Sequence, residues 1–515
     1  MGSGAVSFHG IVAQRAEARP DDELVRLAGG PPWTAAALWE RALAIAGGLS
    51  RYVEPGTAVA TSLPPGPEAI AVTTAISALR AIELPLTPDL DKHWIQTLKT
   101  ATNCTTTITS HLGHTVVEHG VLPAAPTGPG LRPDALPVGV LLDELVAEGR
   151  RVSPYKSAPG DPAAVMTTSG TTGRVKGALL PVAAGPGQAA RVQRAMGYDE
   201  SDVLYSFFSW QHINARHAAF LPAVLSGARL VISPRFSASG FLDTVRTEGI
   251  TAFNFMGAVC ALLLRQPPSD RDRDHLVRRA YGGPAPEHLF HAMRDRFGIT
   301  LLQAYACTEL GDVATTYAGD VRPGAAGRPV PEYELRIVDN ADVDVPKGDV
   351  GELLVRPEQP DLTFSTYIGD PAATERAWRG GWFHTGDQVR LDDGWLYFEG
   401  RSADVVRRRG INISPDAVEE AIASMPGVAE VAVVGVPSEF TEDEVLAVVV
   451  PGPGVVLDPA EVRRHCADRL PRHALPRFVS VEDSLPRNAN LKVSRAELRS
   501  RGLLPGTWDA ETEKS

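Results

Sequence analysis

The chain has 515 residues, 43% of them apolar and 22% charged, enough for large buried cores and too many for one compact domain. Its formal charge of −12 speaks against a general nucleic-acid or membrane-surface role, since both call for a basic face. Four cysteines, at positions 104, 260, 307 and 466, form no Cys-x-x-Cys pair, so neither a disulfide framework nor a zinc site is expected, and a reducing cytoplasm is the expected location. No apolar run is long enough to span a bilayer, the first residues lack a secretory signal, and Val6 argues against myristoylation at Gly2.

Over residues 7–150, helical and strand-like stretches alternate. Phe8 to Ala18 and Thr34 to Leu49 have helical spacing, Ala58 to Leu63 reads as a strand, and Gly66 to Ile82 followed by Leu84 to Leu86 repeats the helix-then-strand unit. Such alternation predicts an α/β fold with mostly parallel sheets covered by helices. Residues 122–137, rich in Pro, Gly and Ala, predict a surface excursion.

Ala163 to Met166 predicts a strand that delivers the stretch from Thr167 to Gly177. The hydroxyls of Thr167, Thr168, Ser169, Thr171 and Thr172, with Gly170, Gly173 and Gly177, leave backbone N–H groups free to curl around an anion, and Lys176 adds a point charge. The spacing is not that of the G-x-x-x-x-G-K-[ST] phosphate loop; a flexible Gly/Ser/Thr linker is the plain alternative. The stretch resembles the signature of the adenylate-forming superfamily, which includes acyl- and aryl-CoA ligases, peptide-synthetase adenylation domains and luciferases. Val175 stands where that family usually has Pro.

Phe207 to Asn214 then precede an apolar helix predicted over residues 218–225. Aromatic and His residues at a strand end suit a pocket lining, although a lone His is as often structural. The run His212-Ile213-Asn214-Ala215, with Phe253 to Ala258, resembles the crotonobetaine/carnitine-CoA ligase branch, which implies that His212 lies beside the acid substrate. The polar residues Gln211, His212, Asn214, Arg216 and His217 suit a small polar acid or anion, or else a solvated helix start.

Tyr281 to Pro286 predicts a strand ending in a tight turn. The resemblance sets Gly282, Gly283 and Pro284 against adenine. Gln303 to Glu309 matches the family's Tyr-Gly-x-Thr-Glu pattern with Ala306 in place of Gly, implying Tyr305 on the base, Thr308 on the α-phosphate and Glu309 as a hard oxygen ligand for Mg²⁺. Cys307 reads as a packing residue rather than a nucleophile. Trp382 to Asp387 matches a further motif, with Asp387 read as ending a strand and accepting the ribose hydroxyls; Arg401 resembles the family's ribose-contacting arginine.

Gly400 to Asp404 marks the expected boundary between a large domain, 1–402, and a small mobile α+β domain, 403–515, pivoting at Ala403, where relatives carry Asp or Lys. The basic triplet Arg407 to Arg409 reads either as a solvated β-ribbon face or as a patch for CoA phosphates. Helices are predicted over 416–424 and 459–469 and strands over 428–436 and 444–450. Leu485 to Val493 resembles the family's Pro-x-Thr-x-x-Gly-Lys loop, with Leu491 in place of Gly, and Lys492 aligns with the lysine used for adenylation.

Six such stretches follow the family's order between residues 167 and 493. They imply ATP-dependent adenylation of a small acid with release of pyrophosphate, ATP and Mg²⁺ as cofactors, and transfer to CoA or another thiol, with Lys492, Thr308, Glu309 and His212 as the catalytic set. One alternative is a CoA-independent enzyme such as an ATP-dependent diazotase activating nitrite for an aryl amine. Another, a non-catalytic nucleotide-binding protein, is disfavoured by the presence of both Glu309 and Lys492.

Overall fold

The computed structural model describes residues 7–87, 90, 92–111, 113–119, 139–169, 175–401, 406–408, 411–437, 443–487 and 492–512. The stretch 122–137, Ala403, and the stretch from Gly170 through Thr171, Thr172 and Gly173 lie outside these. Among the described residues three sheets build the large domain. The first has nine strands, and its centre is parallel: Thr300–Cys307, Arg279–Gly282, Ala252–Phe255, Val203–Ser206, Arg229–Ile232 and Glu23–Leu27 lie side by side in that order. Val203–Ser206 and Ala252–Phe255 are buried at every position, as strands with both faces covered must be.

The second sheet has eight strands, with Pro162–Ser169, Ile82–Pro85, Ala58–Ser62 and Thr106–His111 parallel at its centre and antiparallel strands at its margins. The third is antiparallel throughout, built from Tyr333–Val338, Gly351–Pro357, Trp382–Asp392, Trp378–Arg379 and Trp395–Arg401. No helix among the described residues is long and apolar enough to cross a membrane.

Local sequence sets the N-terminal helices. Thr34 Oγ1 accepts from Ala37 N at 3.1 Å and caps the helix Ala35–Leu49, a bond that typically stabilises by ~1 kcal/mol. Leu38, Ala42, Ile45 and Leu49 recur at helical spacing and are fully buried, so Leu38→Ala is expected to cost about 2–5 kcal/mol. Gly47 permits a close approach: a Cβ there would lie 1.8 Å from the carbonyl oxygen of Arg150.

A buried ion pair ties strand Ile82–Pro85 of the second sheet to the helical segment Arg216–Phe220. Arg216 donates to Glu83 through Nη1 at 2.6 Å and Nη2 at 2.8 Å, and the two side chains are 2% and 4% exposed. Thr61 Oγ1 donates to Glu83 Oε1 at 2.7 Å, while Arg216 Nε donates to the carbonyl of Trp210. Every polar end is therefore partnered, the condition under which a buried pair is tolerated.

The helix expected over 218–225 begins as a π-helical turn, Arg216–Phe220, and continues as Leu221–Ser226. Pro222 is the physical reason for irregularity there, because it has no N–H to give the carbonyl of Ala218 four residues back. That carbonyl accepts from Asn254 Nδ2 at 3.0 Å.

In the small domain, strand Asp443–Pro451 is paired with Val428–Pro437 and Phe478–Val481. Val445, Ala447 and Val449 pack into a cluster with Val418, Ile422 and Val462, whereas Leu446, Val448 and Val450 pack on the opposite face with Leu485 and Leu498. Helices Pro415–Ala423 and Pro459–Ala467 cover the first face. A third helix, Arg495–Arg501, covers the second through Leu498 and was not expected from the sequence.

Candidate active site

The strands on either side of the predicted phosphate loop pair with each other. Pro162–Ser169 and Val175–Pro181 pair antiparallel, with Thr167 opposite Gly177, Thr168 opposite Lys176 and Ser169 opposite Val175. Lys176 projects over the ring of Tyr367, its Nζ 4.6 Å from the ring centre. Tyr367 donates to Glu309 Oε1 at 2.8 Å. The hairpin is thereby linked to the Thr308-Glu309 turn, where Phe364 N holds the Glu309 carbonyl at 2.8 Å. Thr308 is half-buried and Glu309 is buried.

The turn after strand Arg279–Gly282 is held by a residue the sequence reading quoted without a role. Gln303 accepts from Ala285 N at 2.6 Å and donates to Ala285 O at 2.8 Å, clamping Gly282-Gly283-Pro284 from the neighbouring strand. A Cβ on Gly282 would lie 1.9 Å from the carbonyl oxygen of Phe255, so only glycine brings the backbone that close. Gly283 is half-buried and Pro284 exposed, leaving the turn open to the cleft.

Across the cleft, Tyr305 donates to Asp387 Oδ2 at 2.6 Å and packs its ring on Phe398 at 6.2 Å. Arg401 Nε lies 3.0 Å from Asp387 Oδ1. Asp387 does not end its strand as expected: it sits within Trp382–Asp392, just after Gly386 at φ 70°, where the chain irregularity aims it inward. Burial pushes its carboxyl above the ordinary range, opposed by Arg401 and Tyr305.

His212 is half-buried and its Nδ1 accepts from Asn214 N at 3.2 Å. Its pKa falls to about 4, first through burial and then through the charge of Lys492. It is neutral at physiological pH, and with Nδ1 accepting, the ring proton is on Nε2. Lys492 is solvent-accessible, yet its pKa is lowered by lost solvation and by Arg401, against Asp387, which raises it. Solvent thus reaches Lys492 while protein groups crowd it closely enough to lower its pKa. Its charge is felt at His212 on one side and by Asp387 and Arg401 on the other.

Other expectations are corrected. Arg408 pairs with Glu444, Nε to Oε2 2.6 Å, and donates to the carbonyls of His473 and Leu475; it braces the small domain and is not available for CoA phosphates. Arg216 is neither a substrate contact nor solvated, being spent on Glu83. Gln211 donates to Leu63 O at 2.7 Å, and the buried His217 faces Gln188 at 3.3 Å. Burial pushes the Cys307 thiol well up, in keeping with a packing role.

The residues present fit MgATP. Asp387 Oδ1 is buried and among the described residues meets only Arg401, at 3.0 Å, so it retains lone pairs for donors such as ribose hydroxyls. Tyr367 orients Glu309 Oε1, and among the described residues no hydrogen bond reaches Oε2, leaving a hard oxygen of the kind Mg²⁺ takes.

A phosphate hairpin, a glycine turn and a carboxylate, with one lysine felt on both sides of the cleft, define the class of enzymes that join ATP to an acid. Residues 12–367 match the model of the AMP-binding enzyme family, and residues 417–492 match the AMP-binding enzyme C-terminal domain. The chain belongs to that family and is an AMP-forming ligase of the acid–CoA ligase type. It is 33% identical over 347 residues to the indoleacetate–CoA ligase of Aromatoleum aromaticum, covering 66% of this chain and 67% of that one. It is 32% identical over 351 residues to the crotonobetaine/carnitine–CoA ligase of Proteus mirabilis, covering 66% of each. The aligned part thus spans about two thirds of these relatives. The fold is similar to that of the anthranilate CoA ligase AuaEII in complex with anthranoyl-AMP, with TM-score 0.84, 22% identity and coverage of 96% and 97%. It is also similar to ATP-bound MatB from Rhodopseudomonas palustris, with TM-score 0.82, 25% identity and coverage of 96% and 98%.

Proposed function

We propose that the enzyme activates a small carboxylic acid and passes it to CoA, with Lys492 at the junction of the acid and nucleotide sites. In the first step a carboxylate oxygen attacks the α-phosphorus of ATP, forming the acyl–phosphate bond as pyrophosphate leaves. In the second, the CoA thiolate attacks the acyl carbon and AMP leaves. Two anions meet in the first step, so neutralisation of charge is the catalytic need.

Each residue has a part in that neutralisation. His212, neutral and donating from Nε2, orients the carboxylate; Lys492 bridges carboxylate and α-phosphate. Thr308 contacts the α-phosphate, and the hairpin 167–177 with Lys176 holds the outer phosphates. Asp387 and Arg401 hold the ribose, and Gly282 to Pro284 with Tyr305 hold the base. Glu309 would hold Mg²⁺, which supplies neutralisation of the phosphate oxygens when bound.

One arrangement carries this reading: Tyr305 holds one oxygen of the buried Asp387 carboxylate at 2.6 Å with Arg401 Nε 3.0 Å from the other, and Lys492 is electrostatically coupled both to that pair and to His212. The separate cores of the small domain support a division into 1–402 and 403–515 that lets this lysine withdraw before CoA enters. The test is pyrophosphate release from MgATP without CoA across small aliphatic and aryl acids, followed by thioester formation with CoA. Release with a carboxylate and then thioester is expected; release only with nitrite and an aryl amine overturns it.

A further inference from the structure

Between Trp210 and Phe220 only His212 and Asn214 are half-exposed; every other residue is buried. The other polar side chains of this run are paired, Gln211 with the carbonyl of Leu63, Arg216 with Glu83 and His217 with Gln188. What His212 and Asn214 each offer to a ligand is set by the backbone behind them. Asn254, 3% exposed, donates through Nδ2 to Ala218 O at 3.0 Å and to Asn214 Oδ1 at 2.9 Å.

A carbonyl can only accept, so Ala218 O dictates which end of the Asn254 amide points at it. Ala218 O is available because Pro222, four residues on, brings no N–H. The Asn254 Nδ2 group then requires an acceptor from Asn214, which turns Oδ1 inward and leaves Nδ2 without a hydrogen-bond partner among the described residues. His212 is fixed by the same kind of logic: Nδ1 accepts from Asn214 N, so Nε2 carries the proton. Two side chains two residues apart thus both present N–H donors, each imposed by a backbone group.

A plain aliphatic or aryl acid offers its carboxylate to His212 and Lys492 and has nothing for a second donor. Bound against Asn214, its hydrocarbon would leave Nδ2 desolvated and unpaired, a state that costs affinity. From this arrangement we infer that Asn214 is a specificity-determining residue, selecting acids that carry a second hydrogen-bond acceptor, such as a hydroxyl, carbonyl or further anionic group, beside the reacting carboxylate. The inference rests on the ligase reading above and names its substrate class.

The test compares kcat/KM for pyrophosphate release between matched acids, butanoate beside 3-oxobutanoate and benzoate beside 3-formylbenzoate, whose added carbonyl can only accept, in the wild-type enzyme and in Asn214→Asp. The variant keeps an oxygen for Asn254 and exchanges the outward donor for an acceptor. The added charge acts on both members of a pair, so the ratio isolates the donor. In the wild type at least one acceptor-bearing acid is expected to exceed its plain partner by about tenfold or more, the scale on which a site built for a hydrogen bond rejects an analogue lacking it. In Asn214→Asp that ratio is expected to fall to about one or below. Equal rates for both members of each pair in the wild type, or a ratio unmoved by the substitution, overturn the inference while leaving the ligase reading intact. Silence with every acid, including the wider set above, overturns both.

Discussion

Tyr305 donates a 2.6 Å hydrogen bond to Asp387, 82 residues away in sequence, and so ties the parallel sheet to the antiparallel one at the floor of the nucleotide cleft. Asp387 is buried, and burial alone raises its pKa; the Tyr305 hydroxyl and Arg401 act the other way. Tyr305→Phe removes one of those two opposing influences. The pKa of Asp387 then rises further, and the acid limb of kcat/KM for ATP moves to higher pH. A hydrogen bond to a charged group is worth about 1.5–3 kcal/mol, so KM for ATP is expected to rise roughly tenfold or more at neutral pH. A pH–rate profile in ATP checks both; an unmoved acid limb contradicts the ribose role of Asp387.

Arg216 and Glu83 make the second prediction, which concerns stability. Removing one partner leaves a charge buried without compensation, which typically costs about 3–5 kcal/mol. Arg216→Met is therefore expected to lower the unfolding midpoint by several degrees in calorimetry. Pairing it with Glu83→Gln is expected to recover part of that loss, because the uncompensated charge is then gone.

Much of this was legible in the chain. The run from Ala35 to Leu49 announces its helix through the spacing of Leu38, Ala42, Ile45 and Leu49, and the hairpin strand before Thr167 stands in the sequence as an apolar run. The third helix of the small domain was missed, although the run from Val445 to Val450 is apolar at successive positions and so demands cover on both faces; cover was sought for only one. Tyr367 and Gln303 were missed for a different reason. Tyr367 reaches Glu309 from 58 residues away and Gln303 reaches Ala285 from 18, and no local pattern encodes which strand lies beside which. Asp387 was misplaced because a glycine before an acidic residue reads as a turn, whereas Gly386 here makes an irregularity inside a long strand. The run 211–217 looked ambiguous because burial, not residue type, separates Arg216, spent on Glu83, from the half-buried Asn214.

A third prediction concerns the contact between the two domains. Arg265, at the end of helix Gly257–Leu264, pairs with Glu430 of the small domain at 3.0 Å, and Glu430 also meets Arg487, just before the loop that carries Lys492. Glu430 is 7% exposed, so the contact is more than a solvated surface pair. Arg265→Glu is expected to slow the pyrophosphate-releasing step about five- to tenfold, corresponding to ~1 kcal/mol of lost domain contact, with a smaller effect on thioester formation from a supplied acyl-adenylate. The double reversal with Glu430→Arg is expected to restore part of the rate. Equal slowing of both half-reactions contradicts a role in the first alone.

The most direct measurement compares the two half-reactions in Lys492→Ala, using an acid that the wild-type enzyme turns over. Pyrophosphate release from MgATP is expected to fall by at least ~100-fold, the scale on which one charge-stabilising group acts. Thioester formation from the preformed acyl-adenylate and CoA is expected to persist. Near-wild-type pyrophosphate release from Lys492→Ala would contradict the assignment of this lysine to the junction of the acid and nucleotide sites.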